Sequence, residues 1–380
     1  MDIFAHSLSE HERFGGKLST QSRVPLRSQD DLSTYYSPGV AAPCLAIAQD
    51  PSKAYTYTWK KNSVAVVSDG SAVLGLGNIG GLASLPVMEG KAILMKQFAD
   101  IDAVPIVLNT QNPDEIIQIV QSIAPTFGAI NLEDIAAPHC FMIEERLHEL
   151  VDIPVFHDDQ HGTAIVVLAG LYTSLSLVNK PLGSSKIVIS GAGAAGIALA
   201  KLLVEAGATH IVITDSQGIL SHQRTDLNTY KQDLVRYNKD HSSGSIADAL
   251  VGADVYIGVS QPNIVTSAMI KTMNHHPIVF ALSNPHPEIT RTDALAGGAY
   301  IYASGRSDFP NQINNVLVFP GLLKAALLGR RPSITTLHKL HAAQVLSAYI
   351  SSPSREKIIP SVFDDNIAGY LTQQLLDFSQ

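Results

Sequence analysis

Residues 186–196 read KIVISGAGAAG, an apolar run that ends in glycines spaced G-x-G-x-x-G at Gly191, Gly193 and Gly196. The run predicts a strand and the glycines a tight turn into a helix, expected over 197–206 and stopped by Gly207. The next apolar run, HIVIT at 210–214, leads into Asp215, about 20 residues past the last glycine. An acid there accepts hydrogen bonds from a ribose, while backbone N–H groups and the dipole at the helix N-terminus hold a pyrophosphate. The whole turn (Gly191, Ala192, Gly193, Ala194, Ala195, Gly196), together with Asp215, is therefore assigned to a dinucleotide. The plainer alternative is a glycine turn that only packs helix on strand.

The same spacing occurs at Gly75, Gly77 and Gly80, in a different setting. The acids at the matching distance, Asp100 and Asp102, precede the apolar run AVPIVL (103–108) and so lie at its wrong end. Pro86 and Gly90 speak against a helix after these glycines. This loop is expected to be a packing turn or a substrate-facing anion loop. Elsewhere short apolar runs alternate with helical patterns: VAVV (64–67), AVPIVL and IPVF (153–156), with helices over 114–123 and 141–150, then DVYIGV (254–259) and PIVFAL (277–282). The fold class expected is α/β. An N-terminal α/β catalytic domain covers 1–162, and a Rossmann-type doubly wound parallel sheet covers 163–380. Residues 163–178 are expected as a buried connecting helix, 221–244 as a helix and surface loop, and the tail beyond Arg330 as helices packed back on the body.

Composition narrows the function classes. Hydrophobic residues make up 46% of 380, enough for a sizeable core, and the formal charge is −8 with no polybasic run, which speaks against nucleic acid and anionic membrane as partners. The most apolar stretch, 163–178, is too short and too polar to span a bilayer. Cys44 and Cys140 form no C-x-x-C pair, which fits a reducing compartment. The first residues, MDIFAHSLSEHERFGGK, contain no apolar signal-peptide core. The cytoplasm is the expected location.

Two adjacent acid pairs follow apolar runs: Glu133–Asp134 in AINLEDIAAP and Asp158–Asp159 in PVFHDDQHGTA. At strand ends both members of a pair can converge on one site. Carboxylate oxygens without cysteine suit a hard cation, Mg²⁺ or Mn²⁺. The competing reading is helix capping, with Asp134 before a turn and Asp158 capping a helix at Thr163. His157 and His161 read as satisfied hydrogen-bonding residues rather than ligands.

Seven ordered segments carry a resemblance: YSPGVAAPC, SDGSAVLGLGNIGGLASLPVMEGKA, INLEDIAAP, VFHDDQHGTA, GAGAAG, FALSNP and GRSDFPNQINNVLVFPG. Together, from about Val24 to Arg330, the chain resembles the malic enzyme family, in its compact bacterial type without an appended phosphotransacetylase-like domain. The resemblance implies oxidation and decarboxylation of (S)-malate to pyruvate and CO₂ with NAD(P)⁺. It implies Tyr36 and Lys91 as catalytic groups, Glu133, Asp134 and Asp159 as metal ligands with Asp158 beside them, and Asn284 and Asn315 as substrate-binding residues. Asn284 is assigned to the coenzyme side as well. It also implies a homodimer or higher homo-oligomer.

Larger members of the family carry an arginine in the DG…LGLG stretch. This chain has none there, and Arg306 is a candidate partner for the substrate carboxylate, with a structural role as the alternative. Asp215 favours NAD over NADP because it repels a 2′-phosphate, although Arg224 could fold back toward it. Lys91 is the expected base at the C2 hydroxyl, which requires burial or a neighbouring cation to lower its pKa. Tyr36 is the expected acid at C3.

Overall fold

The computed structural model describes residues 2–73, 75–238 and 243–378. Its framework is two parallel sheets. The first contains β1 (Ser63–Ser68), β2 (Asp102–Val107), β3 (Ala129–Leu132) and β4 (Val155–His157), in the order β2-β1-β3-β4. The second contains β5 (Lys186–Ser190), β6 (His210–Asp215), β7 (Gly218–Ile219), β8 (Val255–Gly258), β9 (Ile278–Ala281) and β10 (Ile301–Ser304), in the order β10-β9-β8-β5-β6-β7. All pairings are parallel except that of β6 with β7. The second sheet is doubly wound: its order reverses at β5, leaving a crevice between β5 and β8 at their carboxyl ends. The fold class is α/β with a helical C-terminal end, as expected.

The strands form where branched apolar residues run without interruption. Val64, Ala65, Val66 and Val67 of β1 are fully buried, as are Ile187, Val188 and Ile189 of β5. Such strands are covered on both faces, so they show no alternation. The expected runs, including the one before Glu133, map onto β1, β2, β3, β4, β5, β6, β8 and β9. β7 and β10 were not anticipated.

The helix after the first glycine loop corrects an expectation. Gly81–Ala99 is one helix of 19 residues that passes through Pro86 and Gly90. Proline and glycine together cost about 4 kcal/mol in a helix interior. Met88, Ala92 and Met95 are buried on the first sheet, and each large apolar side chain contributes about 1.5–3 kcal/mol. Packing therefore offsets the local cost, and at Gly90 a Cβ would meet open space.

A second helix, Asp158–Leu177, leaves β4 directly and runs through Gly162, so its first turn begins five residues earlier than the connecting helix expected at 163. It packs against the helices Ala194–Glu205 and Thr336–Ala348. The helix Ile367–Asp377 closes the tail, with the Thr372 hydroxyl donating to the Gly321 carbonyl at 3.1 Å. Within 221–244 a short helix, Thr229–Leu234, is present; 239–242 lie outside the described residues.

Candidate active site

The acids sit at the carboxyl ends of the first sheet because their chain leaves the strands there. Glu133 and Asp134 follow β3, and Asp158 and Asp159 form the first turn of the helix after β4. The helix N-terminus favours carboxylates through its unpaired N–H groups and dipole. The capping alternative for Asp158 is corrected: the helix starts at Asp158 itself, its N-cap is His157, and no side chain caps it.

Asp134 has φ 54°, a left-handed conformation uncommon outside glycine, asparagine and aspartate. Its N–H donates to Asp159 Oδ2 at 2.8 Å, which ties the two pairs together. One carboxylate oxygen from each of Glu133, Asp134 and Asp159 lies within 4.8 Å of the others. Glu133 and Asp134 are buried.

Lys91 reaches this cluster from the helix Gly81–Ala99. Its Nζ lies 2.6 Å from Asp158 Oδ2 and 2.9 Å from Glu133 Oε1, and 4.3 Å from the centroid of the Phe319 ring. Burial acts to lower the Lys91 pKa, but Asp158 and Glu133 outweigh it and hold the ammonium well above the ordinary lysine range. Burial and the carboxylate neighbours of Lys91 therefore act in opposite directions. Burial in turn pushes Asp158 up to about 6, against the pull of Lys91, and raises Glu133 as well.

Residues from the second half of the chain close the cluster. Asn315, beyond β10, donates from Nδ2 to Asp158 Oδ2 at 2.5 Å. Gly162 passes so near that a Cβ would stand 1.9 Å from Asp158 Oδ1 and 3.1 Å from the Asn315 Cβ. The first glycine loop lies between the halves. At Gly75, φ 73°, a Cβ would stand 2.5 Å from the Asn284 carbonyl oxygen. The loop is also bound to the acid segment by Ala72 N–H donating to the Asp134 carbonyl at 2.9 Å. Asn284 itself is exposed, just past β9.

The second glycine turn has the form a dinucleotide needs. Gly191, at φ 115°, follows β5, and the helix Ala194–Glu205 opens directly after Gly193. At Gly196 a Cβ would stand 1.8 Å from the Gly191 carbonyl oxygen, so only glycine fits. A cleft of about 670 Å³ runs over this turn and includes Ser190, Ala192, Asp215, Lys231 and Ser260. Ser190 and Ser260 hydroxyls meet at 2.8 Å across the β5–β8 crevice. Asp215 does not stand open. Burial raises its pKa, but hydrogen bonds from Arg224 and Lys231 bring it down to about 2.

Some expected residues are not gathered. The Tyr36 side chain is 69% exposed and makes no hydrogen bond to the acid cluster among the described residues. Arg306 is committed to Asp308, with Nε and Nη2 donating at 2.8 and 2.6 Å, which is the structural alternative. His161 Nε2 is 2.8 Å from Glu144 Oε2, the hydrogen-bonding role expected for it. The expectation fails for His157. Its fully buried ring makes no hydrogen bond among the described residues, and Nε2 lies 3.8 Å from Asp159 Oδ2.

Two positioning acids were missed. Glu144 accepts from the His157 N–H at 2.9 Å and from Gln160 Nε2 at 3.0 Å, which fixes the entry to the acid-bearing helix. Glu288, fully buried, accepts from the Ser260 and Ser283 N–H groups at 2.8 and 3.1 Å, holding the loops after β8 and β9. In sequence Glu144 is one acid among several in EERLHE, and Glu288 stands alone, so neither carries a local signal.

The donor set fits a hard divalent ion. It is all carboxylate oxygen, and Lys91 brings one positive charge against four buried or half-buried acids.

The chain is similar to known proteins along most of its length. The family model of the malic enzyme N-terminal domain matches residues 15–148, and that of the malic enzyme NAD-binding domain matches 160–368. An NAD-dependent malic enzyme of Geobacillus stearothermophilus is 51% identical over 96% of this chain and 76% of its own length. A bifunctional malic/malolactic enzyme of Bacillus subtilis is 50% identical over 97% and 91%. The crystal structure of an NAD-dependent malic enzyme from Thermotoga maritima superposes with a TM-score of 0.95, at 47% identity over 98% of this chain and 99% of that one. With an acid cluster and a dinucleotide turn in the order of the two family domains, the chain belongs to the malic enzyme family, the NAD(P)-dependent enzymes that oxidise and decarboxylate malate.

Proposed function

We propose that the chain converts (S)-malate and NAD⁺ to pyruvate, CO₂ and NADH, with Glu133, Asp134 and Asp159 holding Mg²⁺ or Mn²⁺. The observation that carries this reading is the junction of the two sheets. A buried lysine and four carboxylates end one parallel sheet, and Asn315, beyond the dinucleotide-type sheet, closes them. On this reading residues 1–162 carry the metal and acid–base groups, and 163–380 the coenzyme.

A divalent ion held by Glu133, Asp134 and Asp159 would stabilise negative charge on the substrate, and a nicotinamide held over Gly191–Gly196 would accept hydride. Lys91 takes the hydroxyl proton at Nζ. Because its ammonium is held charged, it must first pass a proton to Asp158, its hydrogen-bond partner at 2.6 Å. Loss of CO₂ from C4 leaves the enolate of pyruvate, and Tyr36 donates a proton to C3. Asp158 then holds the proton taken from the substrate and Tyr36 lacks one, so return of that proton from Asp158 through Lys91 to Tyr36 restores the starting state. Asn284 and Asn315 orient the substrate, and Asp215 sets the preference for NAD⁺ over NADP⁺.

The chain also presents a surface that a second copy would cover. The helix Ile3–Phe14 buries none of its residues, and Phe4, Leu8, Phe14, Leu26 and Leu45 are all more than half exposed. A 12-residue helix without a packed face is marginal in water, and large apolar side chains gain by being removed from water. We read this as the interface of a homodimer that also covers Tyr36; sedimentation of a monomer at micromolar concentration would exclude it. Among the described residues no helix is long and apolar enough to cross a membrane. With both cysteines free, the cytoplasm is the location we propose.

The test is product stoichiometry. Malate, Mn²⁺ and NAD⁺ should yield free NADH and pyruvate in equal amounts. The Bacillus subtilis relative, described as malic and malolactic, favours a second reading in which NADH stays bound and lactate is released. Lactate without free NADH would establish that reading, and no consumption of malate would reject both.

A further inference from the structure

We propose that the cavity between the helices Asp158–Leu177, Ala194–Glu205 and Thr336–Ala348 is a binding site for a small oxyanion, a carboxylate or a phosphate, held between the ammonium groups of Lys201 and Lys339. The cavity lies behind the coenzyme cleft, sharing the Phe141 and Ile197 side chains with it as a common wall. The inference is independent of the function proposed above.

The cavity measures about 380 Å³. Thr336 and Lys339 enter it from the first turn of the helix Thr336–Ala348, where the helix dipole favours negative charge. Lys201 enters it from the helix Ala194–Glu205. Among the described residues neither ammonium has a hydrogen-bond or ion-pair partner. Burial lowers the Lys339 pKa against the pull of Glu144, and with the repulsion of Lys201 added it comes down to about 8. An enclosed ammonium without an acceptor costs free energy until one is supplied. An oxyanion placed between the two lysines supplies acceptors to both and screens their repulsion.

Three acids also line the cavity, and none of them pairs with either lysine. Glu144 is buried and already accepts from the His157 N–H, Gln160 Nε2 and His161 Nε2, at 2.9, 3.0 and 2.8 Å. These donors take three of the about four acceptor positions of a carboxylate. Glu145 and Glu205 are exposed, so water and salt screen them, and the exposed Arg236 offsets part of their charge. The histidines add no charge at neutral pH: burial brings His161 down to about 4 and lowers His148 as well. In the interior two half-buried lysines therefore face one carboxylate, which leaves one positive charge to be met.

The test uses binding rather than turnover. Inorganic phosphate and acetate are titrated separately by calorimetry into the whole metal-free chain, at pH 7 and fixed ionic strength, with and without saturating NADH. Wild type should bind one anion per chain with a Kd of about 1 mM or below for at least one of the two, and the tighter one identifies the head group. Saturating NADH should leave this binding in place. Lys201→Gln and Lys339→Gln should each weaken it by about tenfold or more, the scale of one charge-assisted hydrogen bond. Lys201→Arg, which keeps the charge, should stay within a few-fold of wild type. Should Lys339→Gln fail to fold, the Lys201 pair of variants carries the test. Equal affinity in wild type and Lys201→Gln would overturn the proposal. So would anion binding that NADH abolishes, which places the anion in the coenzyme cleft, or binding of neither anion by wild type.

Discussion

The junction cluster and the rim of the coenzyme cleft are built from the same kind of contact with different charge balances. At the junction one ammonium, Lys91, stands against Glu133 and Asp158, with Asp134 and Asp159 adjoining. At the rim two cations, Arg224 and Lys231, stand against two acids, Asp215 and Asp226. The first arrangement leaves negative charge to be met by a cation, and the second is balanced within itself. Burial differs too. Lys91 and Asp158 side chains are 8% and 0% exposed, whereas Lys231 is 26% exposed. Charge effects weaken as water and salt reach the pair. Changes at the junction should therefore cost more than changes at the rim.

The largest effect is expected from the acids that would hold the metal. Asp134→Asn and Asp159→Asn should each reduce malate turnover to the assay floor while NADH still titrates. Turnover within about tenfold of wild type in either variant would remove that residue from the metal-holding set.

Next comes the lysine. Lys91→Ala should lower kcat for malate by about 10²- to 10⁴-fold, the range of a general acid–base group. Tyr36→Phe should instead impair proton exchange at C3 of pyruvate while decarboxylation of added oxaloacetate persists. Normal exchange and normal malate turnover in Tyr36→Phe would make Tyr36 a surface or interface residue.

A steric change sharpens the comparison without touching a charge. Gly162→Ala places a methyl group against Asp158 Oδ1 and the Asn315 Cβ. Overpacking of this kind costs about 1–3 kcal/mol, measurable as a shift in urea midpoint at constant m-value. The same change at Gly90, where a Cβ meets nothing, should be neutral or slightly stabilising.

The smallest effect belongs to the rim. Asp215 is held down at about 2 by hydrogen bonds from Arg224 and Lys231 that outweigh its burial, and an unfolded aspartate titrates near about 3.9. A depressed carboxylate stabilises above the unfolded pKa and loses that contribution as pH falls through the folded one. Wild type should therefore lose stability between about pH 4 and about 2, and Asp215→Asn should lose less over that window. Identical acid limbs would show that the clamp adds nothing to folding.

Much of the fold was legible because fully buried parallel strands are uninterrupted apolar runs: VAVV became β1 and KIVIS became β5. β10 was not, since Ile301–Ser304 is four residues ending in serine. The helix Gly81–Ala99 was hidden because its stability comes from packing rather than propensity. At the site, the acid pairs were readable as pairs, but the left-handed turn at Asp134 and the closure by Asn315, 157 residues from Asp158, depend on the folded chain. The charge state of Lys91 is not legible in the sequence because burial and carboxylate neighbours act in opposite directions, and their balance depends on distances. Arg224 was noted as able to fold back, while Lys231 arrives from a separate helix and left no sequence signal.

The central claim is that the acid surplus at the junction is a divalent-cation site. Titration of the metal-stripped chain with Mn²⁺, followed by electron paramagnetic resonance, tests it directly. The account predicts one Mn²⁺ per chain in wild type and at least about tenfold weaker binding in Asp159→Asn, with NADH binding retained. Equal Mn²⁺ affinity in the two proteins would contradict it.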